Sequence, residues 1–85
     1  MTPMNQEIAQ KLRNRAAELA TNGDNLYRVR AFRHAAMAVL SLTKDVTALV
    51  AADGSRALER VPGIGKSLAI TIAQFVETET RTVAA

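Results

Sequence analysis

The sequence contains no cysteine. That excludes disulfides, thiolate metal sites and a cysteine nucleophile, and it suits a reducing cytoplasm. No apolar run approaches the roughly 20 residues that span a bilayer. The opening residues, MTPMNQEIAQ, lack the charged-then-apolar layout of a secretory signal. Sustained period-two alternation, the mark of a strand, is also missing. There is no internal repeat, low-complexity stretch or linker, so one domain over residues 1–85 is expected, with an ordered core over about 4–78. The single histidine, His34, has no metal-ligand partner spaced near it and reads as a surface or ligand-proximal residue.

What is present favours a small helical protein. The 85 residues are 48% hydrophobic and 22% charged, which supports a modest core. The net charge of +3 is mild, but its placement is uneven. Lys11, Arg13, Arg15, Arg28, Arg30 and Arg33 cluster within residues 11–33, against Glu18 and Asp24. Such clustering makes either a face attractive to phosphates or a set of solvated helix positions, and charge alone does not choose between them.

The periodicity predicts four to five short helices in a compact all-α bundle. The first runs from about Pro3 to Thr21, with Thr2 as its cap and Ile8, Leu12, Ala16 and Leu19 as its apolar stripe. Asn22-Gly23 stops it. Asp24 or Asn25 caps a second helix reaching about Leu42, which buries Phe32, Ala35, Ala36, Val39 and Leu40. Thr43 caps a short third helix from Lys44 to about Val50, and Ala51-Ala52-Asp53-Gly54 reads as a loop. Ser55 starts another short helix, with Leu58 and Val61 pointing inward, and Pro62 breaks it. The last helix covers about Lys66 to Thr78, with Leu68, Ile72, Phe75 and Val76 toward the core. The tail from Glu79 to Ala85 has no packing pattern and is expected to fray.

The informative stretch is Leu58-x-x-Val61-Pro62-Gly63-Ile64-Gly65-Lys66-x-x-Ala69. Two glycines flank one isoleucine. Ile64 plugs the turn into the core, and the glycines allow unusual backbone angles and close approach. Amides near Gly65 then sit at a helix N-terminus, where unpaired N–H groups and the helix dipole favour an anion. Lys66 adds a positive charge, and the small Ala69 lets the two helices approach. Gly65-Lys66-Ser67 also looks like the end of a phosphate-binding P-loop. That loop needs a glycine five residues before Gly65, where the chain has Arg60, and a preceding strand.

The stretch resembles the helix-hairpin-helix motif, usually Leu-Pro-Gly-Ile/Val-Gly followed by a helix with an alanine four residues after the second glycine. Upstream, Asn25-Leu26-Tyr27-Arg28-Val29-Arg30-Ala31-Phe32-Arg33-His34-Ala35-Ala36 adds a second match. Together they resemble the N-terminal 8-kDa domain of family X DNA polymerases, over roughly residues 5–78. That resemblance implies a clamp on gapped DNA at the 5′-phosphate side of the gap. It implies phosphate contacts at Gly63, Ile64, Gly65, Lys66 and Ser67, and a monovalent cation, Na⁺ or K⁺, on the main-chain carbonyls of Glu59, Val61 and Ile64. Arg28 stands at a basic pocket position, and Phe32 where tyrosine is frequent. A pocket lysine falls on Ser67.

The lysine that forms a Schiff base in some family members falls on Thr71, which has no amine, so no deoxyribose-phosphate lyase activity is expected. The polymerase domain with its paired aspartates is not in this chain. No cofactor is required.

The leading expectation is sequence-independent DNA binding by a monomer in DNA repair or replication, through the turn and Arg28, Arg30 and Arg33, in the cytoplasm and, in a bacterium, on the nucleoid. The alternative is a protein-interaction module on the same scaffold. Tyr27 at a helix start reads as a packing residue first and a stacking residue second. Arg56 and Arg60 flank the hairpin, with Glu59 partly offsetting them.

Overall fold

The computed structural model describes residues 3–84, with side-chain surroundings for 3–81. Five helices follow one another: α1 (Pro3–Thr21), α2 (Leu26–Leu40), α3 (Val46–Asp53), α4 (Ser55–Glu59) and α5 (Lys66–Ala84). There is no strand among the described residues. Thr2, the expected first cap, lies outside them.

α1 buries the expected stripe of Ile8, Leu12, Ala16 and Leu19, together with Ala9. It ends in a Schellman turn. Asp24 N–H donates to the Leu19 carbonyl at 2.9 Å and Gly23 N–H to that of Ala20 at 3.2 Å, with Gly23 at φ +72°. Asn25, not Asp24, caps α2, accepting the Tyr27 N–H at 2.7 Å. α2 stops at Leu40, two residues earlier than periodicity predicts, and Leu40 is half-buried. Its core face adds Val29 to Phe32, Ala35, Ala36 and Val39.

The third helix departs further from expectation. It starts at Val46, not Lys44, and its cap is Asp45, whose carboxylate accepts the Thr47 N–H at 2.7 Å. Thr43 is not the cap. The cause is Asn5, the one fully buried polar residue among those described. Its Nδ2 donates to the Lys44 carbonyl at 2.9 Å, and its Oδ1 accepts the Val46 N–H at 2.8 Å. Lys44 is thereby held outside the helix, and an orphan first-turn amide gains a partner. The expected loop at Ala51–Gly54 is also corrected. Helix α3 continues through Asp53, and the joint to α4 is Gly54 alone, at φ +59°.

One hydrophobic cluster joins all five helices, with Val46 from α3, Leu58 from α4 and Ala69, Ile72 and Val76 from α5 fully buried or nearly so. Leu68 and Phe75 are only half-buried. The tail expected to fray from Glu79 is helical as far as Ala84, and Ala85 lies outside the described residues. Glu79 pairs with Lys11 of α1 at 2.8 Å. The Lys11 ammonium also lies 5.9 Å from the centre of the Phe75 ring. The anchor of this end is charged, so an apolar pattern does not reveal it.

Removing the Asn5 amide strands the buried Val46 N–H and the part-buried Lys44 carbonyl. Asn5→Ala is expected to cost about 1–3 kcal/mol, lowering the melting temperature by roughly 4–8 °C per kcal/mol. Asn14→Ala, on the exposed side of α1, is expected to cost under about 0.5 kcal/mol. Calorimetry on both variants checks the contrast.

Candidate nucleic-acid interface

Leu58 and Ile64 anchor the turn between α4 and α5, at 0% and 4% exposure. Val61 N–H donates to the Leu58 carbonyl at 3.0 Å and Ile64 N–H to that of Val61 at 3.1 Å, which closes the chain into two tight loops around Pro62. The two glycines have different roles. Gly63 is left-handed at φ +94° and faces α2, where a Cβ would lie 3.5 Å from the Ala38 Cβ and 3.8 Å from the His34 carbonyl. Gly65 needs no unusual angle, and a Cβ there would meet nothing within 4 Å. One glycine seats the turn on α2. The other leaves the backbone bare toward solvent.

α5 begins immediately after. Its first bond runs from the Ala69 N–H to the Gly65 carbonyl at 2.8 Å. The N–H groups of Lys66, Ser67 and Leu68 precede that bond and point out of the helix start. Lys66 and Ser67 are exposed. Thr71 is half-buried one turn on, its hydroxyl donating to the Ser67 carbonyl at 3.2 Å.

These groups share a concavity of about 530 Å³ with the first turns of α2. Tyr27, Arg28, Ala31, Phe32 and His34 form one wall. Gly63, Gly65, Lys66, Ser67 and Thr71 lie on the other. Arg28 is not idle there: it pairs with Asp24 at 3.2 Å, its side chain 60% exposed. Tyr27 is 85% exposed on the rim, so the expectation that it packs is overturned. Its place on the helix carries the signal. The stripe Val29, Phe32, Ala36, Val39 turns another way, leaving Tyr27 next to Arg30 and Ala31.

The arginines of α2 are not all brought to this site. Arg30 lines a neighbouring groove with Tyr27, Ala31 and His34. Arg33 lies apart, in a groove with Arg13 of α1 and Met37. Glu59 lies on the far side of the turn with Arg56, Arg60 and Lys66, and Arg60 is paired with Asp53 at 2.7 Å. Among the described residues, no cluster of acidic and histidine side chains could hold a metal ion. No described helix is long and apolar enough to cross a membrane.

A family model described as the helix-hairpin-helix domain matches residues 3–81. The chain belongs to that family. Neither the curated proteins nor the solved structures gave a match. Within the helix-hairpin-helix frame, the division of labour between the glycines is measurable. Gly63→Ala forces a left-handed alanine and is expected to cost about 1–2 kcal/mol. Gly65→Ser puts a good capping residue into open space and is expected to stay within about 0.5 kcal/mol of the parent. Thermal denaturation separates the two, and equal losses would contradict the assignment.

Proposed function

We propose that this helix-hairpin-helix domain binds DNA through its phosphate backbone, without reading sequence, and favours gapped DNA and 5′-phosphate ends. Helix-hairpin-helix domains commonly bind DNA non-specifically, and the reading rests on one observation. The bare Gly65 backbone, the first amides of α5, Lys66 and Arg28 converge on a single concavity. A phosphate seated there takes N–H donors from a helix N-terminus, with a mobile ammonium beside it. Ser67 adds a hydroxyl, and Tyr27 on the rim offers a ring to an unstacked base or sugar.

The finer likeness to the family X polymerase domain supports the preference for a gap. The same concavity contains Thr71 where a Schiff-base lysine would stand, so the role is binding and not lyase chemistry. The same likeness implies a monovalent cation on the main-chain carbonyls of Glu59, Val61 and Ile64. Val61's carbonyl accepts one N–H, from Ile64, and retains a second lone pair. Such an ion would add positive charge to the turn.

Few phosphates reach the site, about two to four, so the log–log salt slope for duplex DNA is expected near −2 to −4. Fluorescence titration is expected to show tighter binding to a 5′-phosphorylated gap than to its unphosphorylated counterpart. Gly65→Glu is expected to abolish binding at moderate salt, and Lys66→Ala to weaken it about five- to tenfold with a slope shallower by about one. Potassium or sodium is expected to support tighter binding than tetramethylammonium at equal ionic strength. No binding to any of these DNAs at low salt would overturn the reading in favour of a protein-docking module.

Borohydride trapping on a cleaved abasic end is expected to give no covalent adduct. A Lys66-dependent adduct would contradict the assignment to binding alone.

A further inference from the structure

The hairpin concavity does not use all the free positive charge. Four of the eleven cations are held by carboxylates, Lys11 by Glu79, Arg28 by Asp24, Arg60 by Asp53 and Arg81 by Glu77, while Arg15, Lys44 and Arg56 lie elsewhere and form no ion pair among the described residues. Arg13, Arg30 and Arg33 are exposed and form no ion pair among the described residues. Arg13 stands on α1, and Arg30 and Arg33 on the α2 helix packed against it. Arg13 and Arg33 reach across from opposite helices to line one groove of about 410 Å³ with Met37, which is 55% exposed. Arg30 is one helical turn before Arg33 on the same stripe of α2.

No acid shares this face. α2 contains none. On α1, Glu7 and Glu18 lie about 120–140° around the helix from Arg13, at roughly 100° per residue. An unbalanced cluster of guanidinium groups, the side chain that matches phosphate geometry best, favours an anionic ligand.

The face is also continuous with the hairpin site. The groove lined by Tyr27, Arg30 and His34 lies between the two, and Tyr27 and His34 line the hairpin concavity as well. Cations and rings therefore form a band around α2 from Lys66 to Arg13. A helix with its side chains is about 10–12 Å across. Duplex DNA, stiff over about 150 base pairs, cannot follow such a curve without a heavy bending cost. A single strand can, and exposed rings between cations are what a single strand binds.

We infer that the α1–α2 face is a second backbone-binding surface, and that it takes the single strand exposed at a gap while the hairpin grips the adjoining duplex end. This rests on the DNA reading above. The test compares two DNAs of equal length, each with a 5′-phosphate: a nick, and a gap of about six nucleotides. The parent protein is expected to prefer the gap, with a salt slope steeper by about 1.4, or 0.7 for each of two added single-strand phosphates. In the double variant Arg13→Gln/Arg33→Gln, checked for folding by circular dichroism, the ratio of gap to nick affinity is expected to fall about tenfold and the extra slope to vanish. A ratio unmoved by the variant overturns the inference and leaves the hairpin reading standing. So does parental poly-glutamate binding that the variant loses while its gap preference persists, since that makes the face an acidic-protein surface. A parent chain that binds neither DNA overturns both readings.

Discussion

Within two residues the chain must bury a large side chain and bare its backbone to solvent. Ile64 is sealed in the core, while the next residue, Gly65, faces open space. Burying Ile64 contributes about 1.5–3 kcal/mol. That gain is available only if the turn can reverse sharply enough to drive the side chain inward, which the left-handed Gly63 permits. Gly63 in turn needs a partner surface that leaves room for it, and Ala38 on α2 provides one. The last helix then starts in a position dictated by the turn, beside the concavity that α2 also lines. The site follows from the packing of one isoleucine.

A domain of this size has little surplus stability, so the helices without long apolar stripes are held by specific polar contacts. α3 is the clearest case. It is eight residues long, with Val46 as its fully buried residue, and its first turn is fixed by Asn5 and Asp45. Asn5 occupies both its polar ends on backbone groups 39 and 41 residues away, tying the start of α1 to the start of α3. Lys11, Phe75 and Glu79 do the same for the far end of α5 at a partly exposed position. Such a pair is worth less, about 0.2–1 kcal/mol. The two ends of α1 are thus not equivalent: one is locked by buried hydrogen bonds, the other stops in a local Schellman turn.

The helical pattern was legible wherever the determinants are local. The α1 stripe, the Gly23 stop, the Pro62 break and the buried Ile64 all follow from spacing and from residue-specific backbone preferences. Two of the misreadings share one cause, which is that a distant residue decided them, whereas Tyr27 and the α3–α4 joint turn on local features. Thr43 and Asp45 are both acceptable caps in isolation, and Asn5 selects between them. Ala51 and Ala52 are strong helix formers, so α3 continues to Asp53 and a single glycine makes the joint. Glu79 has no apolar periodicity to betray it because its partner is Lys11. At the site, the residues of the turn were readable from the motif, but the distribution of α2 was not. Arg28, Arg30 and Arg33 look like one basic group in the sequence, yet three grooves divide them. Arg28 and Arg30, two apart, diverge around the helix, while Arg30 and Arg33 share a stripe, and only packing shows which gap between helices each one meets.

That division changes how much each cation can contribute. Arg28 already satisfies Asp24, so a phosphate binding there must replace one carboxylate with another anion, and the net gain is small. Lys66 makes no ion pair among the described residues and gives up only water. Its contribution is the larger of the two even though a lysine is the less directional ligand. Asp24 sits at the foot of α2 beside the cap Asn25, so it also adds negative charge at the edge of the concavity. An anion entering from that edge meets the Arg28–Asp24 pair, whose charges offset each other. An anion approaching over Gly65 meets bare backbone and Lys66 first. On the proposed reading, the electrostatics favour entry from the α5 side, where the first amides of α5 and Lys66 meet a phosphate before the Arg28–Asp24 pair does.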